Sequence, residues 1–163
     1  MVTEADIPVL RALAERIWRA AYRELLSPGQ IDYMLGWLYS APMLTRKLAE
    51  GVGYEFAQLA GRPVGYLSLS HNSALHRAEL HMLYLLPELH GQGFGQTMLR
   101  HALERAGRLG AGEVRLRVNR HNTRAQRAYE RAGFQIESEL CQDIGGGFVM
   151  DDFVMVRRLN GAG

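Results

Sequence analysis

Two groups of residues in this 163-residue chain have the types and spacing to do chemistry. The first is His90-Gly91-Gln92-Gly93-Phe94-Gly95-Gln96, which places glycine at three alternate positions behind an apolar run, Leu83-Tyr84-Leu85-Leu86, that stops at Pro87. Glycine lets a backbone come close to a ligand and turn its N–H groups toward it. A helical pattern starts directly behind the glycines, and a helix N-terminus adds unpaired donors and partial positive charge. Such a turn suits a phosphate or pyrophosphate. A plain glycine-rich strand-to-helix turn reads the same way. The loop is no P-loop, since Gln96 and Thr97 follow Gly95 with no lysine. It also fails the dinucleotide fingerprint, whose third glycine falls on Gln96 or Met98.

The second group is Asn119-Arg120-His121-Asn122-Thr123, at a strand end, with Tyr129 two helical turns further on. Asn122 or Thr123 is placed to cap that helix, and the amides of Asn119 and Asn122 can also bond a polar, chain-like ligand. Tyr129 shares a face with Ala125, Gln126 and Ala132. It reads equally as a core aromatic whose hydroxyl finds a partner.

The elements that must hold these groups follow from periodicity. Leu10, Leu13, Ala14, Ile17, Trp18 and Ala21 predict an amphipathic helix over about 7–24, with Asp6 as its cap and Pro8 in its first turn. Ser27-Pro28 opens a second helix through Leu38, and Met43–Glu50 predicts a short third. Strands are expected over Tyr54–Leu59 and Val64–Ser70, joined by a turn at Ala60-Gly61-Arg62-Pro63, and over Ala78–Leu86. A helix over Gln96–Leu109 leads to a strand at Glu113–Val118. Then come a helix over Thr123–Ala132, closed by Gly133, and strands Phe134–Gln142 and Phe148–Arg158 about a triple-glycine turn. This order predicts a mixed α/β sheet with crossover helices in a single domain, 1–163, whose last residues, 160–163, fray.

Composition narrows the function. The apolar fraction of 47% is enough for a core, and no window is long enough for a membrane span. A formal charge of +2 gives no sign of nucleic-acid binding. Cys141 is the sole cysteine, which suits a reducing cytoplasm, and it is expected as a buried or half-buried strand residue. His71, His76, His101 and His121 show no metal-ligand spacing, so no metal is expected.

Taken together, His90-x-x-Gly93-x-Gly95 after a strand and Asn119-x-x-Asn122-x-x-Ala125-x-x-x-Tyr129-Glu130-x-x-Gly133-Phe134 resemble the GNAT superfamily of acetyl-CoA-dependent N-acetyltransferases. The likeness covers nearly the whole chain. More weakly, Leu26-Ser27-Pro28-Gly29-Gln30-Ile31-Asp32-Tyr33-Met34-Leu35 resembles a bacterial subgroup that includes polyamine acetyltransferases. The resemblance implies a central, mostly antiparallel twisted sheet with helices on both faces. It also implies that Glu113–Val118 splays from Ala78–Leu86 to admit the cofactor's pantetheine arm. His90 replaces the family's usual Gln or Arg, which is expected to make cofactor affinity depend on pH. The family's first strand is nearly absent, since only Met1-Val2-Thr3 precede the first helix.

The same resemblance assigns roles. Backbone from Gly91 to Gln96, with His90, Gln92 and Phe94 in the loop, would bind the pyrophosphate of acetyl-CoA. Leu83, Tyr84 and Leu85 would bond the pantetheine arm like a partial strand, and Asn119 and Asn122 would complete the cofactor site. Tyr129 would protonate the departing sulfur, as a phenol with an ordinary pKa near 10 can. Glu79 or His81, two residues apart and so on one side of their strand, would take the amine's proton. The acceptor would lie among Trp18, Tyr22, Tyr33, Trp37 and the glycine turn before Phe148, with Glu24, Asp151 or Asp152 to hold a cation. The reaction expected is direct acetyl transfer to a small-molecule primary amine in a ternary complex, by a cytoplasmic bacterial protein that could form a homodimer. The alternatives are a protein N-terminal or lysine acetyltransferase and a non-catalytic acyl-CoA sensor.

Overall fold

The structure is a computed structural model that describes residues 1–159; the fraying expected of 160–163 lies outside the described residues. It contains helices α1 (Ile7–Ala21), α2 (Pro28–Leu38), α3 (Ala41–Ala49), α4 (Phe94–Arg108) and α5 (Thr123–Arg131). The strands are β1 (Gly53–Leu59), β2 (Arg62–Asn72), β3 (Arg77–Leu85), β4 (Glu113–Asn119), β5 (Gln135–Gly145) and β6 (Phe148–Arg158). They form one sheet in the order β1-β2-β3-β4-β6-β5. β3 and β4 are parallel, joined through α4, while β4–β6 and β5–β6 are antiparallel. This is the mixed α/β sheet that the element order predicts, with the largely antiparallel pairing that the resemblance implies.

The chain divides into two compact units. The first comprises Met1–Ser68 and Met82–Gly95. Its α1 buries Ile7, Leu10, Leu13, Ala14, Ile17 and Trp18 and packs against α2 and α3. Ser27 caps α2 by accepting from the Gln30 N–H at 3.2 Å. Ser40 does the same for α3 through Met43 at 3.3 Å, which starts that helix two residues earlier than its apolar pattern suggests. Asp6 does not cap α1. Its carboxylate turns back to accept from the Thr3 N–H and hydroxyl, both at 2.8 Å, and a short 3-10 turn precedes the helix. The β1–β2 turn needs only Ala60 and Gly61, whose positive φ of 50° and 76° match the twist of a two-residue hairpin. Arg62 and Pro63 therefore belong to β2. Ahead of the first helix, the Val2 N–H donates to the Tyr54 carbonyl of β1 at 2.8 Å.

The second unit comprises Leu69–His81 and Gln96 onward. Its core is built from Ala78, Leu80, Met98, Leu99, Ala102, Leu103, Ala106, Val114, Leu116, Val118, Phe134 and Met155, all buried. Residues Arg77–Leu80 are in register with Glu113–Leu116, so the even-numbered residues of both strands face that core. The opposite face carries Arg77, Glu79, Glu113, Arg115 and Arg117, joined across β6 by Asp152, Val154 and Val156. Cys141 departs from its expected burial: it is exposed on β5, the edge strand of the sheet.

Candidate active site

In the first unit, β3 ends at Leu85 and a 3-10 turn, Pro87–Leu89, delivers the chain to the glycine loop. His90 closes that turn from the side. Its Nε2 lies 2.9 Å from the Leu85 carbonyl, and since a carbonyl can only accept, Nε2 carries the proton. Gln92 Nε2 donates to the Glu88 carbonyl at 2.8 Å. Gly91 and Gly93 hold φ of 76° and 85°, which favours glycine, and a side chain at Gly91, Gly93 or Gly95 would meet only open space. The helix behind Gly91 and Gly93 begins at Phe94, two residues earlier than its apolar stripe indicates, and includes Gly95. Its first-turn N–H groups have no partner within the helix. A loop this open, ending on helix donors, fits an anion such as a pyrophosphate.

Beneath the same end of β3 lies a cluster of hydroxyl-bearing rings. Trp18 Nε1 donates to the Tyr39 hydroxyl at 2.9 Å, and Tyr39 meets the Tyr66 hydroxyl at 2.6 Å. Burial pushes both phenols well above their ordinary pKa. Tyr22 and Tyr84, half-buried, share a 3.0 Å hydrogen bond. Trp18 and Tyr22, expected at an acceptor site, are thus tied to Tyr84 of β3, while Tyr33 and Trp37 form their own ring contact at 6.3 Å. The strands run close here. A Cβ on Gly65 of β2 would sit 2.5 Å from the Tyr84 carbonyl oxygen.

The second unit holds Glu79, His81, Gln96, Asn119, Asn122 and Tyr129. Glu79 is half-buried, and burial raises its pKa against the pull of Arg115, Arg77 and Arg117. That pull is weak because each arginine has another partner: Arg77 and Arg115 bond Glu113, Arg115 also bonds Glu137, and Arg117 bonds Gln142. His81 is exposed, its Nε2 2.7 Å from the Ser70 hydroxyl. Asn122 caps α5 by accepting from the Ala125 N–H at 3.2 Å, and Asn119 accepts from the His121 N–H at 2.9 Å. Their side-chain oxygens therefore fix the turn. Gln96 donates to the Ala128 carbonyl at 3.2 Å and so ties the start of α4 to the turn of α5 that carries Tyr129. Tyr129 is half-buried against Phe134, with ring centres 5.8 Å apart.

The sequence pattern of the Acetyltransferase (GNAT) family matches residues 11–134, a stretch that includes the glycine loop, Asn119, Asn122 and Tyr129. The chain belongs to this family. An uncharacterised N-acetyltransferase of Mycobacterium tuberculosis is 40% identical over 99 residues, 61% of this chain, and the match spans 62% of that relative's length. The streptothricin acetyltransferase of Streptomyces lavendulae is 32% identical over 74 residues, covering 45% of this chain and 39% of that one. Among solved GNAT structures, the PaiA N-acetyltransferase of Thermoplasma acidophilum in complex with coenzyme A superposes with a TM-score of 0.81 at 25% identity, over 97% of this chain and 96% of that one.

One residue stands out that sequence reasoning placed only loosely. Asp152, paired with Asn119 in the β4–β6 register, is 2% exposed, and its Oδ1 has no hydrogen-bond partner among the described residues. Burial raises its pKa from 3.8 to about 6, with Arg117 pulling it down and Asp151 pushing it up. The signal in the sequence is an Asp-Asp pair inside the otherwise apolar run from Phe148 to Val156. Asp151 of that pair is accounted for, since Arg120 bonds it at 2.9 Å. Glu24 is exposed and, among the described residues, meets only Arg23, at 3.9 Å.

Proposed function

We propose that the protein is an acetyl-CoA-dependent N-acetyltransferase, one domain over its whole length, that acetylates a primary amine of a small molecule by direct attack in a ternary complex. The observation that carries this reading is the open glycine loop feeding the first turn of α4, in a chain of the GNAT family whose relative was solved with coenzyme A. Acetyl-CoA would supply an acetyl group activated as a thioester. The N–H groups from Gly91 to Gln96 would hold its pyrophosphate, and the NH₂ groups of Asn119 and Asn122 and the backbone of Leu83–Leu85 its arm.

The chain's own groups then have three tasks. A backbone N–H of β3 near Leu85 would stabilise charge that develops on the acetyl oxygen. Tyr129 would give its proton to the sulfur. Glu79 or His81 would take the proton of the amine, directly or through water. The raised pKa of Glu79 favours it, because a base works best when its pKa lies nearer the operating pH. An exposed Cys141 thiol suits a reducing, cytoplasmic setting.

A thiol-release assay over polyamines, amino acids, aminoglycosides and short peptides tests the reading. Acetyl-CoA-dependent thiol release with at least one small amine is expected, and none with any acceptor would overturn it. Tyr129→Phe should lower turnover by about 100-fold or more while acetyl-CoA affinity stays within about twofold. An unchanged rate would remove Tyr129 from the mechanism.

A further inference from the structure

The unpartnered carboxylate of Asp152 sits under a strap. β6 lies between β4 and β5, yet Arg117 of β4 donates to the Gln142 side chain of β5 at 3.3 Å, so its side chain crosses over β6. The register says where. Arg117 stands opposite Val154 and Gln142 opposite Met150, so the line between them passes diagonally over Asp152, whose side chain is on the same face. An exposed arginine thus covers a buried acid without bonding its Oδ1. A buried carboxylate oxygen with no partner is expensive to keep. Its neighbours supply none: β5 presents Leu140 and Gln142, β4 presents Asn119 and Arg117, β6 adds Asp151, already paired with Arg120, and β3 brings Glu79, which faces the same Arg117.

We propose that Asp152 anchors a positively charged amine of the acceptor, the Arg117–Gln142 strap standing over it until that amine takes its place. The proposal rests on the acetyltransferase reading and narrows it to acceptors that are cationic at neutral pH. An ammonium brings donors that Oδ1 lacks, and the long Arg117 side chain can swing into solvent without breaking a core contact. A neutral acceptor could donate a hydrogen bond to this oxygen but would not balance its charge.

The carboxyl ¹³C signal of Asp152 reads this directly. In the free protein it should titrate near 6. Saturating spermidine or kanamycin as probes should lower the midpoint by about one unit or more, whereas uncharged 1,8-octanediol should not move it. Asp152→Asn should weaken binding of the effective amine about tenfold or more. Arg117→Gln should tighten it at pH 8, where the acid stays ionised. A midpoint that neither amine moves would overturn the proposal, as would an Arg117→Gln protein that binds the amines no tighter than the native one. Should Asp152→Asn fail to fold, the titration and Arg117→Gln decide. Loss of acetyl-CoA binding would sink the acetyltransferase reading and leave this titration intact; an unshifted titration with acetyl-CoA bound would sink the anchor alone.

Discussion

Replacing Asp152 with asparagine should stabilise the protein at pH 8 and change little at pH 4. The folded carboxyl titrates at about 6 against an ordinary value of 3.8, with burial the main cause. Between those values the folded protein holds a proton that the unfolded chain has released, so stability falls as pH rises through this window and stays lower above it. A difference of roughly two units is worth about 3 kcal/mol at 1.36 kcal/mol per unit. Asparagine keeps the shape and carries no charge at any pH, so it removes that penalty. Its own NH₂ group needs an acceptor, which reduces the net gain to about 1–2 kcal/mol. Urea unfolding at pH 4, 6 and 8, followed by fluorescence of the buried Trp18, measures the difference. A variant less stable than the native protein at pH 8, or a gain equal at pH 4 and pH 8, would refute the reasoning. A stabilising change at a buried acid is what a residue kept for binding rather than for folding should show.

Three further outcomes are expected. Gly65→Ala should destabilise by about 3 kcal/mol, because its Cβ would lie 2.5 Å from the Tyr84 carbonyl and backbone cannot yield; an unchanged urea midpoint would contradict this. Gly93→Ala meets no atom but must hold φ near +85°, so it should strain the loop by about 1–2 kcal/mol and weaken acetyl-CoA about tenfold by calorimetry. Unaltered affinity would mean that the loop does not set the donor geometry. Tyr39→Phe leaves the Trp18 N–H buried without its acceptor, and unfolding should detect a loss of about 1–3 kcal/mol; no loss would mean that Trp18 finds another partner.

The order of elements and the glycine loop were legible because apolar period and glycine position are local properties. Boundaries moved where a capping side chain decided them. Ser40 starts α3 before its apolar pattern does, and Asp6 bonds backwards to Thr3 instead of forwards into α1. The exposure of Cys141 depends on β5 lying at an edge of the sheet, which the strand's own sequence does not state. Asp152 could be named as an acid near an acceptor, but not as a buried one. Its place beneath the Arg117–Gln142 bond is a consequence of register among three strands. Likewise, the bond from His90 to the Leu85 carbonyl depends on the 3-10 turn between them.

The central claim is that the loop from Gly91 to Gln96 takes the pyrophosphate of acetyl-CoA. Thermal unfolding with acetyl-CoA, ATP, NAD and no ligand tests it most directly. At about 100 times its dissociation constant, acetyl-CoA should add roughly 2.7 kcal/mol of stability and raise the melting temperature by several degrees, while ATP and NAD at the same concentration add little. A melting temperature that acetyl-CoA leaves unchanged, or that ATP or NAD raises equally, would contradict the account.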